Sequence, residues 1–202
     1  MRKHYFFFDI DGTLAAGPIM GRYIPESTKR ALEILKSEGH FLAICTGRLH
    51  AMGEGFMHEL GFQNMVADGG NSLTLDGEFM GIKPLDTQAC IDVIEECERL
   101  GVVWAISFDD SRRRWTRYAN YDALVHDSYM ETVVDPELDY RSIECFYKVY
   151  VICSPEEEGR IASLSKVPTA RFSPYAVFVE PVDKGEGIKR CIFCGIQRIR
   201  LA

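Results

Sequence analysis

The sequence contains no stretch approaching the ~20 apolar residues that a membrane-spanning helix needs. It has no excess of positive charge either: 23 Lys and Arg stand against 30 Asp and Glu, a net charge of −7. That balance argues against a dedicated nucleic-acid binder, whose surface would be basic, and against docking on anionic lipid. No internal repeat or low-complexity tract interrupts the chain. The apolar run in MRKHYFFFDID is cut by Asp9 too early for a signal peptide, so the expected compartment is cytoplasmic. There the seven cysteines, an odd and scattered set, read as reduced thiols. Cys191-x-x-Cys194 has no second pair or nearby histidines to complete a zinc site, so packing is its expected role. What remains is a chain of 202 residues, 47% hydrophobic, long enough to bury a core without metal or disulfide staples.

The amino-terminal segment is the most informative. Tyr5-Phe6-Phe7-Phe8 reads as a strand buried on both faces, as in a parallel sheet, and ends in Asp9-Ile10-Asp11-Gly12-Thr13. Ser27 to Glu38 reads as a helix stopped by Gly39, Phe41 to Cys45 as a second strand, and Leu49 to Leu60 as a second helix. This alternation predicts a right-handed parallel crossover. Ligands of such sheets bind beyond the carboxyl ends of the strands, where Asp9, Asp11, Thr46 and Arg48 all fall. Ser72 to Gly81 predicts a hairpin around Asp76-Gly77. Beyond Pro84, a helix over Asp86 to Leu100, paired strands over Val102 to Phe108 and Arg114 to Tyr118, a strand over Phe146 to Cys153, a helix over Pro155 to Leu164 and a strand over Ala176 to Glu180 suggest a separate α+β unit. Tyr121 to Ser142 shows no dominant period and reads as a loop. Arg112-Arg113-Arg114, preceded by Asp109 and Asp110, reads as an exposed hairpin.

Three constellations carry chemistry. Asp9-x-Asp11 sets two carboxylates two residues apart, able to face one pocket and offer hard oxygens to Mg²⁺. One can attack as a nucleophile while the other exchanges protons with the leaving group. Gly12 permits a sharp turn whose amide meets a phosphate oxygen. Thr46-Gly47-Arg48 adds a hydroxyl, an amide and a guanidinium suited to an anionic oxygen. Asp183-Lys184-Gly185-Glu186-Gly187 places Lys184 as a fixed positive charge for phosphoryl transfer, just before a helix over Ile188 to Cys194. Each segment alone also fits an ordinary turn or a solvated loop; their order and company single them out.

In that order, FFFDIDGTL, ICTGR and VDKGEGIKRC resemble the first three motifs of the haloacid dehalogenase superfamily of phosphatases, in its Cof-type branch. ADGGNSLTLDGE is similar to the segment closing the first half of that family's core, with Asp68 at a position often held by Asn. The resemblance implies an α/β fold: a Rossmann-like parallel-sheet core, residues 1–83 and 182–202, with an inserted α+β cap over 84–181 that covers the site. It implies that Asp9 takes the phosphoryl group, that Asp11 is the acid and base, and that Thr46 and Lys184 hold the phosphate. It further implies Gly12, Gly47, Arg48 and Asn71 as substrate-binding residues, and Mg²⁺ held by Asp9 and the Asp11 carbonyl. The partner would be a small phosphorylated metabolite, a sugar phosphate foremost, with no nucleic acid and no membrane.

The family's fourth motif supplies Mg²⁺ with a further carboxylate, but Gly187 to Ala202 contains no Asp or Glu. The chain therefore resembles a truncation, with a sheet edge left open to association, weak metal binding and reduced turnover. Two readings stand beside the phosphatase. One is an inactive family member that binds phosphorylated ligands. The other is a metal-dependent glycosyltransferase using the DxD, which would not require Thr46 or Lys184.

Overall fold

Phe-rich and Leu/Ile-rich runs become neighbouring strands because β-branched and aromatic side chains pack well on a pleated surface. A computed structural model describes residues 2–18, 21–127 and 129–201. In chain order the first elements are β1 (Tyr5–Phe8), α1 (Glu26–Ser37), β2 (Phe41–Cys45), α2 (His50–Glu59), β3 (Met65–Ala67), β4 (Ser72–Leu75) and β5 (Glu78–Ile82). There follow α3 (Thr87–Leu100), β6 (Val103–Ser107), β7 (Arg113–Thr116), α4 (Tyr121–Val125), β8 (Glu131–Val134) and β9 (Lys148–Ile152). The last are α5 (Pro155–Glu158), β10 (Thr169–Ser173), β11 (Ala176–Val179) and α6 (Lys184–Leu201). These elements form two compact units, Met1–Ile82 with Asp183–Ala202, and Lys83–Val182. No helix among the described residues is long and apolar enough to cross a membrane.

The first unit is a sheet in the order β1-β2-β3-β4-β5, an α/β arrangement. Strands β1, β2 and β3 are parallel, with Phe6 opposite Leu42 and Ile44 opposite Met65. Strands β4 and β5 form a hairpin closed by Asp76 (φ 53°) and Gly77 (φ 79°), the left-handed pair that matches the twist of its strands. Side chains alternate across the sheet. Ile44 and Met65 therefore join Leu32 of α1 and Met57 of α2 on one face, while Cys45 and Val66 meet Cys191 of α6 on the other. Strand β1 departs from the expected strand buried on both faces: it lies at the edge of the described sheet, half-buried, with Tyr5 exposed.

The second unit is a six-stranded sheet in the order β10-β11-β9-β6-β7-β8. Helix α3 starts at Asp86, whose carboxylate accepts from Ala89 N at 2.8 Å, and stops at Gly101 in the left-handed region. It packs with Trp104, Ile106, Val149, Val151, Val177 and Val179 on one face of the sheet. Trp104 meets Tyr140 edge to face at 5.3 Å.

Four sequence expectations need correction. In place of the expected loop, the described residues of 121–142 hold α4, β8 and a 3₁₀ turn, and β8 runs parallel to β7. The expected exposed arginine hairpin instead buries Arg114 completely, between Asp127 (2.8 Å), Asp122 (3.4 Å) and the Thr132 hydroxyl (2.8 Å). These partners come from the segment without a hydrophobic period, which explains why periodicity missed both. The helix expected over Pro155 to Leu164 breaks after Glu158 and resumes as a 3₁₀ turn at Ala162–Lys166; β10 is an addition to the expected strands. Finally, Lys184 and the two glycines after it lie inside α6 rather than in a loop before it.

Candidate active site

The site is built at the carboxyl ends of β1 and β2. After Phe8 the chain continues with Ile10 and Leu14 buried. Asp9 and Asp11, on either side of Ile10, therefore face the other way, toward solvent, with side chains 40% and 33% exposed. Four main-chain bonds close the turn: Leu14 N to Asp9 O at 3.1 Å, Ala15 N and Thr13 N to Ile10 O at 2.9 and 3.3 Å, and Gly12 N to Ala15 O at 3.1 Å. Gly12 sits at φ 78°, where a side chain would be strained.

At the end of β2, Thr46 is buried, its N–H given to Val66 O at 2.9 Å. Its hydroxyl oxygen accepts from Arg48 N at 3.1 Å, which leaves the hydroxyl hydrogen available to donate. Asp68 pins this loop from the next strand end: its N–H bonds Arg48 O at 2.8 Å and its carboxylate accepts from His50 N at 3.0 Å. Asp68 thus anchors the start of α2. His50, the histidine nearest Arg48 in sequence, is a core residue, bonding the Thr74 hydroxyl at 3.2 Å and stacking on Phe79.

Two ionic contacts join these elements. Arg48 holds Asp11 with two parallel bonds, Nε to Oδ2 at 2.8 Å and a terminal nitrogen to Oδ1 at 2.7 Å. The Arg48 hydrogen bonds keep the Asp11 carboxyl below its ordinary value, against the opposing effect of burial. Lys184, the first residue of α6, reaches Asp9 Oδ1 at 3.1 Å. Its helix can approach so closely because two positions carry no side chain. A Cβ on Gly187 would stand 2.5 Å from Val66 Cγ1, and one on Gly70 2.7 Å from Asp183 O.

Of the residues expected from sequence, the structure joins Asp9 with Lys184, Asp11 with Arg48, and Arg48 with Thr46. Gly12 and Gly47 lie in the two strand-end turns. Asn71 follows the 3₁₀ turn Asp68–Gly70, and its carbonyl accepts from Arg190 of α6 at 3.4 Å. Arg22 is the residue that sequence reading missed. Its Nε lies 3.0 Å from Asp11 Oδ1, and its terminal nitrogen donates to Gly17 O. The flanking bridge between Ala16 and Tyr23 places it there; no local pattern marked it. Three cations therefore face two carboxylates at one end of the sheet, an arrangement suited to an anionic, oxygen-rich ligand.

The donor chemistry also fits a hard cation. The half-exposed Asp9 carboxylate and the Asp11 main-chain carbonyl are oxygen ligands of the type Mg²⁺ takes. Among the described residues, no group of three or more His, Cys, Asp or Glu side chains gathers at one point. Protein oxygens would be few, and water would complete the shell. Cys191 is buried, its thiol pushed up to about 12 by desolvation, as fits a packing role.

The chain is 23% identical over 201 residues to a protein of Bacillus subtilis (strain 168) named Putative phosphatase YkrA, covering 95% of this chain and 74% of that one. The crystal structure of a hypothetical protein from Geobacillus kaustophilus HTA426 superposes with a TM-score of 0.74 at 27% identity, covering 94% of this chain and 73% of that one. BT4131, described as a sugar phosphatase of HAD subclass IIB, shares the fold with a TM-score of 0.68 at 21% identity, over 93% of this chain and 74% of that one. Residues 6–167 match the sequence profile of the haloacid dehalogenase-like hydrolases, a span that includes both strand-end motifs, and the chain belongs to that family.

Proposed function

We propose that this chain is a Mg²⁺-dependent phosphatase of small phosphorylated metabolites, sugar phosphates foremost, acting through an aspartyl-phosphate on Asp9. The observation that carries the reading is the pairing of Lys184 with Asp9 beside the Arg48–Asp11 clamp. A nucleophile, an acid–base group and fixed cations stand together where a phosphoryl group would be transferred. The sugar phosphatase described for BT4131, on the same fold, supports the substrate class. In the same reading, the unit Lys83–Val182 acts as a cap that excludes water and selects the leaving group.

In the first step an Asp9 carboxylate oxygen bonds to phosphorus and the ester P–O bond breaks. The departing alkoxide takes a proton from Asp11. In the second step water attacks the phosphoryl group, gives its proton to Asp11, and releases phosphate with Asp9 restored. Asp11 as the structure holds it, anionic against Arg48, is in the form needed for the second step. The phosphoryl oxygens of an incoming substrate compete with it for Arg48 and Arg22. Lys184 and the Thr46 hydroxyl hold those oxygens and offset their charge. Asp9 and the Asp11 carbonyl would hold Mg²⁺, which when bound supplies further positive charge at the phosphoryl group.

One observation favours a second reading. The scarcity of acidic ligands among the described residues fits a chain that binds phosphorylated ligands without efficient turnover. The purified protein, assayed with p-nitrophenyl phosphate and a panel of sugar phosphates with and without Mg²⁺, separates the two. Metal-dependent turnover that disappears in Asp9→Asn, with unchanged circular dichroism, supports the phosphatase, since an amide is a very poor nucleophile for phosphorus. Undiminished turnover in Asp9→Asn refutes the nucleophile assignment. Phosphate binding without turnover supports the second reading.

A further inference from the structure

The second unit contains a cavity of ≈ 390 Å³ that shares no residue with the Asp9 site. That volume lies within the range of small-molecule sites, which are mostly apolar with a few placed polar groups. Leu100 at the end of α3, Val103 at the start of β6 and Ile152 at the end of β9 provide apolar lining. His126 and Tyr175 supply an aromatic side, their ring centroids 4.6 Å apart at 53°. Tyr175 is 52% exposed, at the tip of the β10–β11 hairpin. A large ring held half in water offers a stacking surface.

This side of the cavity is held in place. Arg171 donates to the carbonyls of Cys153 and Ser173, each at 3.1 Å, and pairs with Glu158, which ties the hairpin tip to the end of β9 and to α5. A wall fixed before binding lowers the ordering cost of association. Arg160 lines the same cavity and is exposed; among the described residues it closes no short ion pair, and its charge acts on the Glu157 carboxylate. Glu157, also in the lining, is engaged in capping α5, where its carboxylate accepts from Ser154 N at 2.8 Å. An aromatic pair, apolar side chains and one cation, with the Glu157 carboxylate beside it, thus line one cavity.

We infer that this cavity is a binding site for a planar aromatic molecule bearing an anionic group, of mononucleotide size, with the ring on Tyr175 and His126 and the anion on Arg160. Guanidinium groups recognise carboxylate and phosphate oxygens in paired contacts, and the aromatic pair selects a flat ring over a bare sugar phosphate.

The test titrates AMP into Asp9→Asn protein by calorimetry, with adenosine and inorganic phosphate as separate arms. The expected result is saturable AMP binding that Tyr175→Ala and Arg160→Ala, each added to that background, weaken at least about tenfold, ~1.4 kcal/mol. Any AMP held at the Asp9 site is the part that Lys184→Ala, added to the same background, removes; the part lost in Tyr175→Ala and Arg160→Ala persists in it. Adenosine binding should depend on Tyr175 and not on Arg160. Both substitutions lie at exposed side chains, so loss of fold does not confuse the result. Absence of saturable AMP binding overturns the inference. So does AMP binding that falls with Lys184→Ala and ignores Tyr175 and Arg160, since the nucleotide is then held as a phosphate ester at the Asp9 site.

Discussion

Lys184 Nζ stands 3.1 Å from Asp9 Oδ1, across 175 positions of sequence. Both side chains are more than a third exposed, and exposed ion pairs contribute little to stability because water screens them. The contact therefore matters less to the fold than as a fixed positive charge beside a carboxylate. Lys184→Ala should leave the melting temperature nearly unchanged and weaken vanadate or phosphate binding by about tenfold or more, by analogy with removal of other transition-state donors. Equal affinity in wild type and variant, by calorimetry, removes Lys184 from the site.

Arg114 should behave in the opposite way. Its side chain is 0% exposed and that of its partner Asp127 6%. Arg114→Ala leaves a carboxylate buried without its cation, a change that typically costs about 3–5 kcal/mol. Arg114→Met with Asp127→Asn should recover part of that loss. Urea unfolding of the three proteins checks both statements; a variant as stable as wild type would show that Asp127 finds water or another partner.

Gly187 tests the helix approach that places Lys184. An alanine there brings its Cβ to within 2.5 Å of Val66 Cγ1 and 2.7 Å of the Gly70 carbonyl. Helix α6 must then shift, at a cost of about 1–3 kcal/mol for overpacking. Gly187→Ala should lower both the unfolding midpoint and phosphate affinity, although residue 187 has no side chain at the site. Loss of stability with affinity intact would mean that α6 moves without carrying Lys184 away.

Glu96 gives the second unit a pH dependence of known sign. Its carboxylate accepts from the Ser163 hydroxyl at 2.6 Å and from Ser163 N at 2.7 Å, and the hydroxyl bond is the largest cause of its lowered pKa. A carboxyl held below its unfolded value stabilises the fold above that value, and the contribution is lost as pH falls through the folded one. Glu96→Gln should therefore be less stable than wild type at pH 7, and the gap should narrow as pH falls below about 4.3, the ordinary glutamate value. A gap that stays constant from pH 7 to acid would show that neutral hydrogen bonding, not charge, holds Ser163.

Features that depend on neighbours within a few residues were legible in the amino-acid order. Apolar runs marked β1 and β2, the Asp76-Gly77 pair its hairpin, and Asp86 with Gly101 the two ends of α3, because local dihedral preferences and side-chain period set these. The same period put Asp9 and Asp11 on the face opposite Ile10, so the centre of the candidate site followed from sequence alone. The partners of these residues came from tertiary packing. It brought Arg22 to Asp11 through the Ala16–Tyr23 bridge, and Lys184 to Asp9 through the packing of Gly187 on Gly70. It buried Arg114 against carboxylates from a segment with no hydrophobic rhythm. Periodicity reports which side of an element turns inward. It carries no information about which distant charge waits there, since that depends on how whole faces pack.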